Sequence, residues 1–131
     1  MMIRNLTLAA LLAGAASTAL AIDYRASNRM KIDVLSDGTL QVSGTAILGP
    51  RSYWCAAGEY GARRLGLKQT DKVYVAQPLT KGGGPMTFTT KRPDSGEAAW
   101  TIGYQSVRTA GAAVSVGLAE DYCRDHRLVF D

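Results

Sequence analysis

The sequence predicts an α+β domain in which an antiparallel β-sheet, an N-terminal hairpin plus a four-stranded meander, is packed by one main helix. Three observations carry this expectation. Apolar residues alternate with polar ones in a series of short runs, the period of a half-buried strand. One long stretch between Gly49-Pro50 and Gly66 has the alanine, glutamate and arginine content of a helix instead. The links between successive strand-like runs are short, which favours antiparallel neighbours.

The elements follow in order. Residues 22–28 are polar and read as loose chain. Met30-Lys31-Ile32-Asp33-Val34 and Leu40-Gln41-Val42-Ser43-Gly44 alternate on either side of the turn Ser36-Asp37-Gly38, which makes a β-hairpin. The helix is expected from Ser52, whose hydroxyl suits an N-cap, to Gly66, a C-terminal stop. Cys55, Gly58, Ala62 and Leu65 share one of its faces, and Gly58 and Gly61 leave room for a second backbone. Strands are then expected over 72–76, 86–90, 99–107 and 112–118, with loops at 78–85 and 91–97, the first holding Gly82-Gly83-Gly84-Pro85. A short helical turn carrying Cys123 is expected over 119–126.

Residues 1–21 stand apart from this domain. Met1 to Asn5 carries one positive charge, Leu6 to Leu20 is uncharged and rich in Leu and Ala, and Ala19-Leu20-Ala21 places small residues at the −3 and −1 positions of a cut. Basic start, apolar core and small-residue site are the three parts of a secretion signal. A membrane anchor fits less well, because Gly14, Ser17 and Thr18 dilute the run. The expected organisation is a signal peptide over 1–21 and a single domain over 22–131, with no stable membrane anchor after cleavage.

Cys55 and Cys123 are the only cysteines in the chain. An even count in an exported protein reads as a disulfide. The loop so closed spans about 68 residues, worth roughly 4 kcal/mol on the chain-entropy account. No Cys-x-x-Cys is present, and a catalytic thiol would have to rely on His126, the single histidine.

Chemistry is harder to find. Arg4 leaves with the signal, so 14 basic residues face 11 acidic ones in the mature chain. This mild excess suits anionic envelope polymers, but no nucleic-acid motif accompanies it. The polar segment Glu120-Asp121-Tyr122-Cys123-Arg124-Asp125-His126 lacks the partners of a zinc site and the spacing of a calcium loop, so it reads as a solvated terminus. The glycine run is no phosphate loop, and no Gly-x-Ser-x-Gly occurs. No metal, cofactor or catalytic residue is therefore expected. Trp54, Tyr60, Tyr74, Trp100 and Tyr104 hold most of the aromatic mass. They serve as core or as a candidate face for a ligand or partner, since Tyr and Trp bury a ring while keeping a polar tip wet.

Two segments, Tyr53-Trp54-Cys55-Ala56-Ala57-Gly58-Glu59-Tyr60 and Ala119-Glu120-Asp121-Tyr122-Cys123, together resemble small exported proteins of alphaproteobacteria whose function is unknown. The resemblance implies a periplasmic home and a paired disulfide, and it implies no activity. The expectation from sequence is a periplasmic or secreted binding module for an envelope component or a partner protein. The alternatives are a small hydrolase whose site would need His126 to meet a carboxylate or hydroxyl from a distant segment inside a pocket, and an inhibitor of a wall-degrading enzyme.

Overall fold

The structure, a computed structural model, describes residues 23–93 and 106–130. The expected signal over 1–21 and most of the strand expected over 99–107 lie outside the described residues.

The chain forms β1 (Tyr24–Arg25), β2 (Lys31–Val34), β3 (Leu40–Ser43), α1 (Pro50–Arg63), β4 (Lys72–Gln77), β5 (Met86–Thr89), β6 (Ala113–Ser115) and α2 (Val116–Phe130). The strands make one sheet in the order β1-β2-β3-β5-β4-β6, and every neighbouring pair is antiparallel. The fold is α+β, with two helices among the described residues where the sequence suggests one main helix.

The hairpin forms as expected. Ile32 faces Val42 and Val34 faces Leu40. Its turn is closed by Leu35 N–H to Thr39 O at 2.9 Å, with Gly38 at φ 84°, a conformation that costs glycine nothing. Asp37 Oδ1 accepts from the Thr39 amide at 2.9 Å and hydroxyl at 2.6 Å. The Thr39 hydroxyl, then the Thr39 amide, hold the Asp37 carboxyl below its ordinary range. The hairpin then joins the later strands directly, because Leu40 pairs with Phe88 and Val42 with Met86. β5 thus sits between β3 and β4, and β6 adds to the far side of β4. The later strands are not a sequential meander. They fill the sheet from both edges of β4.

The chain before the hairpin is ordered rather than loose. Tyr24, Ala26, Asn28, Met30 and Ile32 are all buried, an alternation that lays this segment along the sheet edge. One sheet face carries Ile32, Leu40, Val42, Met86, Phe88, Val73, Val75 and Val114, each almost fully buried. α1 covers this face.

α1 begins differently from the sequence expectation. Gly49 is its N-cap at φ 68°, and Pro50 occupies the first turn, where its missing N–H costs no bond. Ser52 lies inside the helix, and its hydroxyl accepts from the Leu48 amide at 3.0 Å behind the helix start. Eight successive residues of α1, Ser52 to Glu59, are buried. A helix buried on all sides is packed by more than one partner: the sheet supplies one and α2 the other.

α2 replaces the end of the expected strand over 112–118. Strand geometry stops at Ser115, whose hydroxyl accepts from the Leu118 amide at 3.2 Å, the bond of an N-cap residue. The next first-turn amides are also satisfied: Val116 N–H bonds Asp71 O at 2.8 Å, and Gly117 N–H bonds Gln69 O at 3.0 Å. Val114, Val116 and Leu118 alternate like a strand, but Val116, Ala119, Cys123 and His126 repeat like a helix, and all four are buried. Leu118 is 39% exposed, so the helical period won.

Candidate functional site

The two helices run antiparallel and meet through four successive rungs. Ser52 faces His126, Cys55 is bonded to Cys123, Gly58 faces Ala119, and Gly61 faces Val116. This contact stripe contains Gly61 and omits Leu65, which is 45% exposed. A Cβ placed on Gly58 would overlap the Cβ of Ala119, and one placed on Gly61 would come 3.8 Å from Val116 Cγ2. The Cys55–Cys123 Cα separation is 5.0 Å. Small residues therefore set the distance at which the bridge closes. A buried bridge of this kind belongs to an oxidising, extracytoplasmic setting.

The first rung brings together the only histidine and a hydroxyl from 74 residues away. His126 Nδ1 lies 2.9 Å from Tyr122 O. A carbonyl only accepts, so Nδ1 carries the hydrogen, and in the neutral ring Nε2 is the acceptor. The Ser52 hydroxyl then donates to Nε2 at 2.7 Å while accepting from Leu48 N–H. Asn28 Nδ2 donates to Ser52 O at 2.7 Å, and Asn28 Oδ1 accepts from Met30 N–H at 3.2 Å. Every member of this network has a partner, and it ties the segment before β2 and the loop before α1 to both helices.

This pair resembles half of a nucleophilic site, but its setting differs from one. Ser52 and His126 are each 1% exposed. No carboxylate orients the imidazole, since the second ring nitrogen is spent on a backbone carbonyl of its own helix. Neither residue lines the clefts described below. The reading of residues 120–126 as a solvated terminus is thereby corrected. Asp121 is exposed and pairs with Arg124 at 2.6 Å, and Asp125 pairs with Arg51 at 3.3 Å, but Cys123 and His126 face inward.

The five aromatic residues do not form a common face. Trp54 is fully buried, tilted against Phe88 with ring centroids 5.0 Å apart, so it belongs to the core and offers no surface. Tyr60 is half-buried on the helix side of the sheet, edge-on to Tyr24 at 5.1 Å. Tyr74 lies between the inward-facing Val73 and Val75 and so points to the opposite sheet face. Trp100 and Tyr104 lie outside the described residues.

Sequence reasoning missed the polar seam beside the helix pair. A small cavity of about 70 Å³ is lined by Ser27, Glu59, Arg63, Glu120, Cys123 and Arg127. Next to it an open cleft of about 340 Å³ is lined by Gln69, Gly117, Glu120, Asp121, Arg124 and Arg127. Glu120 and Arg127 border both. The floor is Glu59, whose side chain is only 4% exposed; its Oε2 accepts from Ser27 N–H at 2.8 Å and its Oε1 lies 3.4 Å from Arg63. Gly117, Glu120, Arg124 and Arg127 follow helical spacing along one side of α2. Glu120 and Arg124 fall in the helical turn expected over 119–126, so part of this spacing was readable, whereas the approach of Gln69 and Glu59 to it was not. Among the described residues, no three His, Cys, Asp or Glu side chains gather as a metal site. Compared with protein-family models, curated proteins and solved structures, the chain matches none.

Proposed function

We propose that this chain is an exported, periplasmic binding module that attaches to a component of the cell envelope and does no chemistry on it. One observation carries the reading. The single Ser–His pair is sealed between the helices and fully used in holding them, whereas four charged side chains, Glu120, Asp121, Arg124 and Arg127, line an open cleft on α2. The expected signal over 1–21, the buried bridge and the resemblance to small exported proteins of alphaproteobacteria support the compartment. A cleft of about 340 Å³ falls in the size range of small-ligand sites.

Two measurements test this. The mature, oxidised chain is sedimented with purified cell-wall sacculi and, separately, with vesicles of anionic lipid. It is also incubated with a fluorophosphonate, which labels activated serines. The expected result is salt-sensitive sedimentation with one of the two materials, no release of soluble fragments, and no label. Sedimentation with neither material would overturn attachment. A label on Ser52 would overturn the absence of catalysis and favour the hydrolase reading.

A further inference from the structure

We infer that the cleft along the α1–α2 seam binds the paired ammonium and carboxylate of a small zwitterion, an amino acid or a peptide of about dipeptide length. The inference rests on the binding-module reading and names the ligand class of its site.

Glu120 and Arg127 stand two turns apart on α2. Each lines both the small cavity and the open cleft. Neither has an ion-pair partner among the described residues. The other charges nearby are satisfied: Arg124 by Asp121 at 2.6 Å, and Arg63 by Glu59 at 3.4 Å. Among the described residues, the seam therefore presents one acid and one base without an ion-pair partner to the same space. Seven residues apart on a helix, their Cα atoms are separated by roughly 10 Å along the axis. They are too far apart to be the usual neighbours, which stand three or four residues apart.

A ligand charged at both ends can bridge them. Two extended residues span about 7 Å, and each protein side chain reaches inward to close the remainder. The arginine fork suits a carboxylate held by two parallel N–H bonds. The acid end has further depth below it. Glu59 is nearly fully buried, and its partners among the described residues are one backbone amide and a longer contact to Arg63. Its carboxylate has about four acceptor positions. An ammonium held by Glu120 thus has a second carboxylate facing the same small cavity. The cleft is lined by two carboxylates, Glu120 and Asp121, and two guanidinium groups, Arg124 and Arg127, so neither sign of charge prevails in it and a zwitterion can be matched at both ends.

The test is a titration of the isotopically labelled, oxidised mature chain, followed by amide NMR shifts at constant ionic strength. The probes are alanyl-alanine, its N-acetylated form and its C-terminal amide. Expected is saturable binding of alanyl-alanine in the millimolar range, with shifts confined to residues around 59–63 and 117–127. Each blocked form binds about tenfold more weakly, and so does alanyl-alanine to Arg127→Gln, an exposed substitution that leaves the rest of the spectrum unchanged. No saturable shift, or equal affinity for all three probes, would overturn the inference. Sedimentation with sacculi or vesicles without any dipeptide response would sink this ligand class and leave the binding-module reading standing. Dipeptide binding without sedimentation would leave the ligand class standing and overturn attachment to the envelope.

Discussion

Ser52 shows how one residue does three structural jobs at once. It lies inside α1, donates to His126 Nε2 at 2.7 Å and accepts from the Leu48 amide at 3.0 Å, while its own carbonyl accepts from Asn28. In Ser52→Ala both His126 Nε2 and the Leu48 N–H lose their partner where Ser52 and His126 are each 1% exposed. Two stranded buried groups cost more than the bond itself, roughly 2–4 kcal/mol together. Urea unfolding of the oxidised mature chain is expected to show a loss of that size with an unchanged slope. A loss below about 0.5 kcal/mol would mean that the network contributes little. The sequence left Ser52 as an N-cap and His126 as a solvated residue, because side-chain hydrogen bonds across 74 residues have no periodicity to read. The pairing of Cys55 with Cys123 was legible because only two cysteines exist and both lie in the mature chain.

The spacing of the helix pair is set by glycines, and the two of them differ. A methyl on Gly58 would overlap the Ala119 Cβ, on a helix that the adjacent disulfide does not allow to move far. Overpacking of this kind costs about 1–3 kcal/mol. It outweighs the gain of about 1 kcal/mol that alanine brings to a helix interior. A methyl on Gly61 meets the tip of the Leu67 side chain at 3.1 Å, and a flexible tip can turn aside. Thermal unfolding is expected to rank Gly61→Ala at or above the parent chain and Gly58→Ala clearly below it. Equal effects at both positions would show that close helix approach is not what the glycines provide. Element type was legible wherever one period stood alone, as in the β2–β3 hairpin and α1. It failed at 112–118, where Val114, Val116 and Leu118 keep period two while Val116, Ala119, Cys123 and His126 keep the helical one. A cap by Ser115 and two amides bonded to the loop at 69–71 decided the matter. The charges of the seam fall in and just beyond the turn expected over 119–126, and what the sequence did not show is the tertiary packing that brings Glu59 and Gln69 beside them.

At the scale of the whole molecule, the bridge does more than join two helices. The sheet reaches α2 through β6, a strand of three residues, two amides of the first turn of α2 bond the loop at 69–71, and for the rest α2 packs mainly on α1. Holding α2 in place therefore depends on the four rungs, and the covalent one lies among them. The closed loop spans 68 residues and contains most of α1 together with β4, β5 and β6. On the chain-entropy account its removal costs roughly 4 kcal/mol, a large share of the 5–15 kcal/mol that usually holds a domain. The double substitution Cys55→Ala and Cys123→Ala also removes a buried contact, so the measured loss is expected at or above that figure. Because β1 to β5 pair without help from α2, the loss is expected to be uneven. Hydrogen exchange on the substituted chain should speed up first in α2 and β6, while the amides of β2, β3 and β5 keep their protection. Uniform acceleration across the sheet would show instead that the helix pair and the sheet unfold as one unit. The cleft between Glu120 and Arg127 exists only while α2 is docked, so the same substitution should also abolish dipeptide-dependent shifts before it unfolds the hairpin.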